Sequence, residues 1–321
     1  MATTTTTAVR VSPKKEPTQT GDIVARWVTL LFAVGLLAVA VLLVYELFIG
    51  SAPAREKLGI GFLSSSKWNP VTEDFGALPF LYGTIVTSVL ALLISAPMGL
   101  GAAIFLSELA PARVSNALTF VIELLAAIPS VIYGLLAIFT LVPLMRTVVE
   151  PFLKSTFGFL PLFQGPAYGV GYLTAGLVLA IMTIPFIISV SRESLLAVPR
   201  EQREAALALG ATRWESTWQV VVPYAKLGIL GSIFLGLARA LGETMAVTMV
   251  IGNDPRVHAS LFSPGYTIAA VIANEFSEAG GKVHPAALIE LGLVLFGLTI
   301  IINGFARLMI LATTSRGSRR S

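Results

Sequence analysis

The chain has 321 residues, of which 55% are hydrophobic and 12% are charged, with a net charge of +4 and no cysteine. Soluble domains usually contain about 25% charged residues, so this chain has too few charges to cover a water-facing surface. The composition argues against a soluble enzyme, a nucleic-acid-binding protein and a disordered chain, and the missing cysteines exclude disulfides and Cys-ligated zinc. A polytopic membrane protein is the class that remains.

Six nearly charge-free runs predict the membrane spans. A helix needs about 20 apolar residues to cross a hydrocarbon core about 30 Å thick, and these runs are too long for barrel strands. The sequence therefore predicts an all-α polytopic membrane protein with six transmembrane helices, which lie near residues 27–49, 81–106, 118–145, 171–191, 227–252 and 286–310.

The spans and their composition divide the chain into four segments. Residues 1–22 form a Thr-rich polar tail that is predicted to be disordered and cytoplasmic. Residues 23–75 contain the first transmembrane helix and an outer loop. Residues 76–311 contain the other five helices and a long cytoplasmic loop at 192–226, and residues 312–321 form a basic cytoplasmic tail.

The distribution of Lys and Arg predicts the orientation. Of the 22 cationic residues, fourteen fall on the side that holds both termini and seven on the other, and the remaining one, Arg239, lies inside a span. Cytoplasmic loops carry the excess of positive charge in membrane proteins. Both termini are therefore predicted to be cytoplasmic.

The long cytoplasmic loop contains a delimited short helix. Pro199 is a favourable start and Gly210 a favourable stop, because glycine adopts the positive φ of a helix end without a Cβ penalty. Periodicity alone is equally consistent with an ordinary interfacial loop helix and with a specific docking element. A second amphipathic stretch follows, from Trp214 to Val222, before Pro223.

The spacing within this loop resembles a known motif. Glu204-Ala205-Ala206, three residues, Gly210, nine residues and then Val220-Val221-Val222-Pro223 is similar to the EAA loop of ABC importer permeases. The resemblance implies the type I (MetI-like) permease fold and a loop helix that docks on a separate ATPase subunit. It assigns ATPase coupling to Glu204, Ala205, Ala206, Gly210 and Pro223.

A second stretch resembles the phosphate-specific permeases. Leu237 to Val247 reads Leu-Ala-Arg-Ala-Leu-Gly-Glu-Thr-Met-Ala-Val, which is similar to the PstC family of permease subunits rather than to its partner family PstA. Residues 80–84, 96–101, 105–108 and 127–134 also resemble that family, and the resemblance extends from about Gly76 to Leu311.

The resemblance implies a set of partners in a bacterial cytoplasmic membrane. They are a PstA-like second permease subunit, a PstB-like ATPase dimer, an external PstS-like phosphate-binding protein, phosphate itself and membrane lipid. The chain contains no G-x-x-x-x-G-K-[ST] sequence, so ATP hydrolysis is assigned to a partner and the chain is not expected to be an enzyme. No cofactor, metal or nucleic acid is expected.

Arg239 and Glu243 are the candidate residues of the substrate pathway. Arg239 is about 18 Å along the fifth predicted helix from Leu227, at about 1.5 Å per residue, and a charge at that depth should face protein or water. Glu243 is four residues further on, so one continuous helix would place the two side chains on one face, close enough to pair. The pair is predicted either to fix helix packing or to bind a phosphate oxyanion, with Arg239 as its donor fork and Glu243 keeping the binding weak.

Three matters stay open on the sequence alone. Arg239 does not distinguish phosphate from sulfate or molybdate, and an ion-coupled secondary transporter would also use a charge pair. Glu123 and Glu290 lie a short distance inside their predicted spans and are expected to reach the interface. His258 and His284 fall in outer loops and are expected to be solvated.

Overall fold

The computed structural model describes residues 20–317, and it describes side chains for residues 21–308. The chain separates into two units, residues 1–46 and residues 47–321. The predicted tail at 1–22 lies almost wholly outside the described residues. The last helix continues to Gly317, into the segment expected to be the basic tail.

The elements are helices and one two-stranded hairpin, in which Trp68 pairs with Phe75 and Asn69 with Asp74. In chain order they are α1 Thr20–Gly50, α2 Ala52–Leu58, α3 Gly61–Ser64, β1 Trp68–Asn69, β2 Asp74–Phe75, α4 Leu78–Leu109, α5 Ala112–Ala126, α6 Ser130–Phe157, a 3₁₀ turn Pro161–Phe163, α7 Tyr172–Leu196, α8 Arg200–Ala208, α9 Arg213–Leu241, α10 Met245–Val250, α11 Ile268–Glu275 and α12 Val283–Gly317.

Six of the described helices are long and apolar enough to cross a membrane. They are α1, α4, α6, α7, α9 and α12. This confirms the predicted number of spans and the all-α class. The orientation of the termini stays a prediction.

The third span lies further along the chain than predicted. The expected span, 118–145, is divided by a break at 127–129 into α5 and α6, so α6 crosses from Ser130 to Phe157. Proline disfavours the helical conformation of the residue before it, which is why the helical path ends ahead of Pro129. As a consequence Glu123 lies on α5, before the span, where its side chain is exposed.

The fifth span also differs from its prediction. A single helix was expected over 227–252, but α9 begins at Arg213 and ends at Leu241, and α10 begins only at Met245. Gly242 is a poor helix former, and the helix ends just before it, at Leu241. Thr244, two residues further on, has a φ of −108°. The break comprises residues 242–244, so it follows Arg239 and contains Glu243.

Prolines also explain the wide turns inside the helices. Four π-helical segments occur in the described chain, and each one ends two residues before a proline. In the three segments where the helix continues through the proline, the missing N–H and the clash of the ring with the carbonyl four residues earlier are relieved by widening the preceding turn, whereas Pro111 follows the end of its helix. The segments and their prolines are Phe105–Leu109 with Pro111, Ala137–Leu141 with Pro143, Met145–Val149 with Pro151, and Thr217–Val221 with Pro223.

Helix α7 is the most buried of the six spans and forms the centre of the core. It packs most extensively against α4, where a Cβ on Gly176 would lie 2.8 Å from the Cβ of Leu90, so the two helices approach as closely as only glycine permits. On the other side, Ile187 of α7 contacts Gly236 of α9. The fold thus fixes α9 to the core on the N-terminal side of Arg239.

The packing around α12 corrects two expectations. His284 is 7% exposed rather than solvated, because its ring stacks on Phe75 and its Nε2 lies 3.2 Å from the carboxylate of Glu275. Glu290 is also 7% exposed, and its Oε2 has no hydrogen-bond partner among the described residues. It lies two turns along α12 from His284, and packing of α2 on this part of α12 keeps it from the interface.

Candidate functional site

The loop between α7 and α9 contains the predicted helix. Helix α8 follows Pro199, ends at Ala208, and is succeeded by Gly210 with a φ of +88°. The Gly210 N–H donates to the Leu207 carbonyl at 3.0 Å and the Ala211 N–H donates to the Ala206 carbonyl at 3.2 Å. This pair of bonds is the Schellman ending of a helix, and it requires the left-handed conformation that glycine provides.

The next helix begins almost at once. Thr212 caps α9, with the Glu215 N–H donating to its Oγ1 at 3.3 Å and its own N–H donating to the Glu215 carboxylate at 2.8 Å. This reciprocal arrangement satisfies the free N–H groups at the start of the helix. The chain therefore reverses between α8 and α9 within four residues, all of them fixed by local hydrogen bonds.

Most side chains of the loop around α8 are exposed to solvent. Glu204 and Ala205 are exposed, Ala206 is half-buried, and no residue of α8 is buried. Large apolar side chains stand out beside them. Their exposed fractions are 45% for Leu207, 91% for Leu209, 56% for Trp214 and 44% for Trp218.

One side chain of α8 ties it to the membrane helices. Arg203 donates from Nε to Glu108 Oε2 at 3.1 Å and from Nη2 to Glu108 Oε1 at 2.9 Å, a bidentate pair. The same guanidinium donates to the carbonyls of Leu195 and Val198 at the end of α7. Sequence reasoning missed this pair, because the two residues are 95 positions apart and no local pattern joins them.

The last member of the loop motif lies at the membrane side. Pro223 is exposed and follows the π-helical segment Thr217–Val221, and Val221 is fully buried. Val221 belongs to an apolar cluster with residues of α4 and α7, among them Leu106, Leu195 and Val198. The motif residues are thus spread along one path from the exposed α8 to the packed start of α9.

Arg239 lies one turn or less from the end of α9. It is 13 residues beyond Lys226, which corresponds to about 20 Å along the helix at about 1.5 Å per residue. Its side chain is exposed on this chain, and its Cζ lies 5.8 Å from the centre of the Phe186 ring. Among the described residues it has no ion pair and no side-chain hydrogen bond.

Glu243 lies in the break between α9 and α10 and is half-buried. Its Oε1 accepts a long hydrogen bond, 3.4 Å, from the N–H of Ala246. The expectation that Arg239 and Glu243 share a helix face and pair is wrong. The helix ends at Leu241, so the four-residue spacing no longer places the two side chains together.

Comparison with known proteins identifies the family. Residues 95–313 match the family of binding-protein-dependent transport system inner membrane components. The chain is 48% identical over 275 residues to the phosphate transport system permease protein PstC of Mesorhizobium japonicum, with 84% of each chain covered. It is 51% identical over 266 residues to the PstC protein of Xylella fastidiosa, with 82% of each covered, and 38% identical over 279 residues to the probable PstC protein of Methanocaldococcus jannaschii.

Solved structures agree on the fold. A bacterial alginate ABC transporter has a chain that superposes with a TM-score of 0.59 at 18% identity, covering 90% of this chain and 96% of that one. The inward-facing MetNI methionine ABC transporter gives a TM-score of 0.54 at 16% identity, covering 77% of this chain and 99% of that one. The fold is therefore the type I (MetI-like) fold of ABC importer permeases, in an inner membrane protein with several spans. The chain belongs to the family of binding-protein-dependent transport system inner membrane components and, within it, to the PstC permease subunits.

Proposed function

We propose that the protein forms one half of the membrane pathway of an ATP-driven phosphate importer. The observation that carries the choice of substrate is the similarity to PstC permeases over more than four fifths of the chain. The geometry supports an anion, since Arg239 is a membrane-embedded cation that no carboxylate of the described chain neutralises. The alternatives of another oxyanion and of a secondary transporter are not favoured.

Arg239 is the substrate-pathway residue in this proposal. A guanidinium keeps its charge at all physiological pH values and presents a planar fork that matches the oxygens of phosphate. Exposure on this chain leaves the fork free to meet an anion in the space between this permease and its partner half. A charge in the membrane interior is costly unless it faces protein, water or a ligand, which is consistent with a position on the pathway.

Glu243 has a different role from the one that a salt bridge would give it. It lies in the break between α9 and α10, where a carboxylate adds negative charge to the same end of the pathway without neutralising Arg239 directly. Phosphate must leave the site as readily as it enters, and a nearby negative charge weakens its binding. We assign Glu243 to release of the anion rather than to its capture.

Helix α8 and its turn are assigned to ATPase coupling. Glu204, Ala205 and Ala206 lie on an open helix whose small side chains permit close approach, and Gly210 sets its end. The exposed Leu209 and the two tryptophans provide apolar surface for a partner, as expected of interface cores. Pro223 marks where the loop, 192–226, enters the membrane.

A permease of an ABC importer works with an ATPase and a binding protein. The proposed partners are a PstA-like second permease, a PstB-like ATPase dimer and an external PstS-like phosphate-binding protein. The proposed orientation places both termini and α8 on the cytoplasmic side, in accordance with the excess of Lys and Arg there.

The test is uptake by the reconstituted complex. Proteoliposomes that contain the co-purified permeases and ATPase, with the binding protein added outside, should accumulate radiolabelled phosphate only when ATP is enclosed. Unlabelled sulfate in excess should leave this uptake unchanged. Uptake of sulfate or molybdate in place of phosphate would reassign the substrate, and uptake that needs an ion gradient but no ATP would indicate a secondary transporter.

A further inference from the structure

Helix α8 is tied to the membrane helices by the side-chain contacts of one residue, Arg203. Among the residues that the structure describes, Arg203 is the one side chain of α8 that forms side-chain hydrogen bonds or an ion pair. No residue of α8 is buried, so the helix has no apolar anchor of its own. A force that a partner applies to α8 can pass through the backbone at its two ends, through its contact with the Thr217–Val221 segment of α9, or through Arg203.

The contact is sheltered and geometrically specific. The side chains of Arg203 and Glu108 are 20% and 10% exposed, and the pair is bidentate. Exposed ion pairs contribute little to stability because water screens them, whereas a sheltered fork between arginine and carboxylate has a fixed orientation. Arg203 also donates to the Leu195 and Val198 carbonyls, so it holds the ends of two membrane helices at once.

Glu108 lies in the last turn of α4, at the end of the helix that faces α8. It belongs to the π-helical segment Phe105–Leu109, the last turn of α4 before Ala110 and Pro111. Just inside this turn, Leu106 packs with Leu195 and Val198 in one apolar cluster. The guanidinium and this cluster therefore join α8, α4 and the end of α7 into one mechanical unit, and α4 has its largest contact with the central helix α7.

We infer that the Arg203–Glu108 pair is a positioning contact that transmits the movement of α8 to the cytoplasmic end of α4. The inference rests on the proposed function of α8 as the ATPase docking helix. Arg203 and Glu108 act through α4 and need not touch the transported anion or the ATPase. Without the pair, α8 could follow the ATPase while α4 stays behind, so that ATP would be hydrolysed without opening the pathway.

The first test measures coupling in proteoliposomes with the complete complex. Glu108→Gln keeps the size of the side chain but removes its charge, and it should reduce the phosphate moved per ATP hydrolysed by about tenfold, the factor expected for loss of a charge-assisted hydrogen bond. ATPase co-purification should stay normal. Arg203→Lys retains the charge and loses the fork, so it should fall between wild type and Glu108→Gln. The control is Glu201→Gln, an exposed carboxylate on α8 that forms no ion pair among the described residues.

The second test does not depend on the substrate. Because the chain has no cysteine, spin labels can be placed at Phe105→Cys and Gln202→Cys, on α4 and α8. Their distance distribution in the permease–ATPase complex should be the same with and without ATP, and Glu108→Gln should make it change on ATP addition. This readout would reveal uncoupled motion even if the complex carried another anion.

The two tests distinguish a failure of the proposed function from a failure of the inference about Arg203 and Glu108. A wild-type complex that moves no phosphate contradicts the proposed function, and the spin-label distances then decide the inference. Unchanged phosphate per ATP in Glu108→Gln at equal assembly, or a distance distribution that is indifferent to Glu108, would overturn it. If Glu108→Gln does not assemble, Arg203→Lys takes its place in both measurements.

Discussion

The loop between α7 and α9 and the end of α9 hold their charged residues in opposite ways. In the loop, Arg203 donates to Glu108 and to the Leu195 and Val198 carbonyls, and the Glu215 carboxylate accepts two hydrogen bonds from Thr212. At the end of α9, Arg239 has none among the described residues, and Glu243 accepts one long bond. The two helix ends also differ: Gly210 has a φ of +88° in a Schellman ending, whereas Gly242 has a φ of −95°.

Arg203 and Glu215 of the loop are satisfied within the described chain, whereas the guanidinium at the end of α9 is not. The loop has a defined shape before any partner arrives, because its caps and its one ion pair are satisfied internally. The end of α9 leaves a guanidinium uncompensated at a depth where an unpaired charge is unfavourable. Since the described residues offer no carboxylate partner, an anion, water or a second permease subunit is the expected partner.

The largest expected effect concerns which side of the membrane each region faces. A cysteine at Leu209, which is 91% exposed, should be unreactive to an impermeant thiol reagent added outside sealed cells, whereas one at the exposed Ala259 should react fully. The reason is the excess of Lys and Arg on the loop side. The measurement is thiol labelling before and after permeabilisation, and the reverse pattern would remove α8 from the cytoplasm.

The next effect tests the unpaired guanidinium. Arg239→Gln should reduce phosphate uptake by at least about tenfold at equal membrane expression, because a charge-assisted hydrogen bond to the anion is worth about 1.5–3 kcal/mol. Arg239→Lys should recover part of it, since the charge is kept and the fork is lost. Arg26→Gln, an exposed arginine near the start of α1, serves as the matched control.

The double variant sharpens this test. If Arg239 and Glu243 formed a structural pair, replacing both with glutamine would remove both charges and restore uptake. The break between α9 and α10 predicts instead that the double variant transports no better than Arg239→Gln alone. Recovery in the double variant would show that the two side chains pair during transport.

A smaller effect is expected at the loop turn. Gly210 has a φ of +88° and open space where a Cβ would lie, so a substitution is strained by its backbone rather than by a clash. Gly210→Ala should cost about 1 kcal/mol and lower ATPase co-purification by about fivefold, whereas the larger Asn, which tolerates this conformation, should cost less. The opposite order, with Asn worse than Ala, would indicate that side-chain volume at the docking surface matters instead.

The smallest expected effect is on the pH dependence of stability, and it arises in the loop between α10 and α11. Hydrogen bonds from Arg256, at 2.7 and 2.8 Å, hold the pKa of Asp254 below its usual value. A depressed carboxyl pKa contributes stability above the unfolded pKa of about 4, and the contribution is lost as the pH falls through the folded pKa. Asp254→Asn should therefore lower the melting temperature of the purified protein slightly at pH 7 and by less at pH 3. An equal difference at both pH values would contradict the assignment to this ionisation.

Much of the architecture could be predicted because its signals are local. The number of spans follows from the length of apolar runs, and the ends of α8 follow from Pro199 and Gly210, whose conformational preferences act over a few residues. The four π-helical segments accompany prolines in the same way. The positions of α6 and α9 were predicted less well, because Pro129 and Gly242 were each read as lying within a continuous span.

The sequence by itself therefore determined the class of protein, the six spans, the loop helix with its caps and the family. Only the tertiary structure decided which charges have partners. Arg203 meets Glu108 across 95 residues and His284 is buried against Phe75 and Glu275, while Arg239 and Glu243, four positions apart, are separated by the end of α9. Helix periodicity determines neighbours only while the helix continues, whereas contacts between elements depend on packing that no short stretch of sequence encodes.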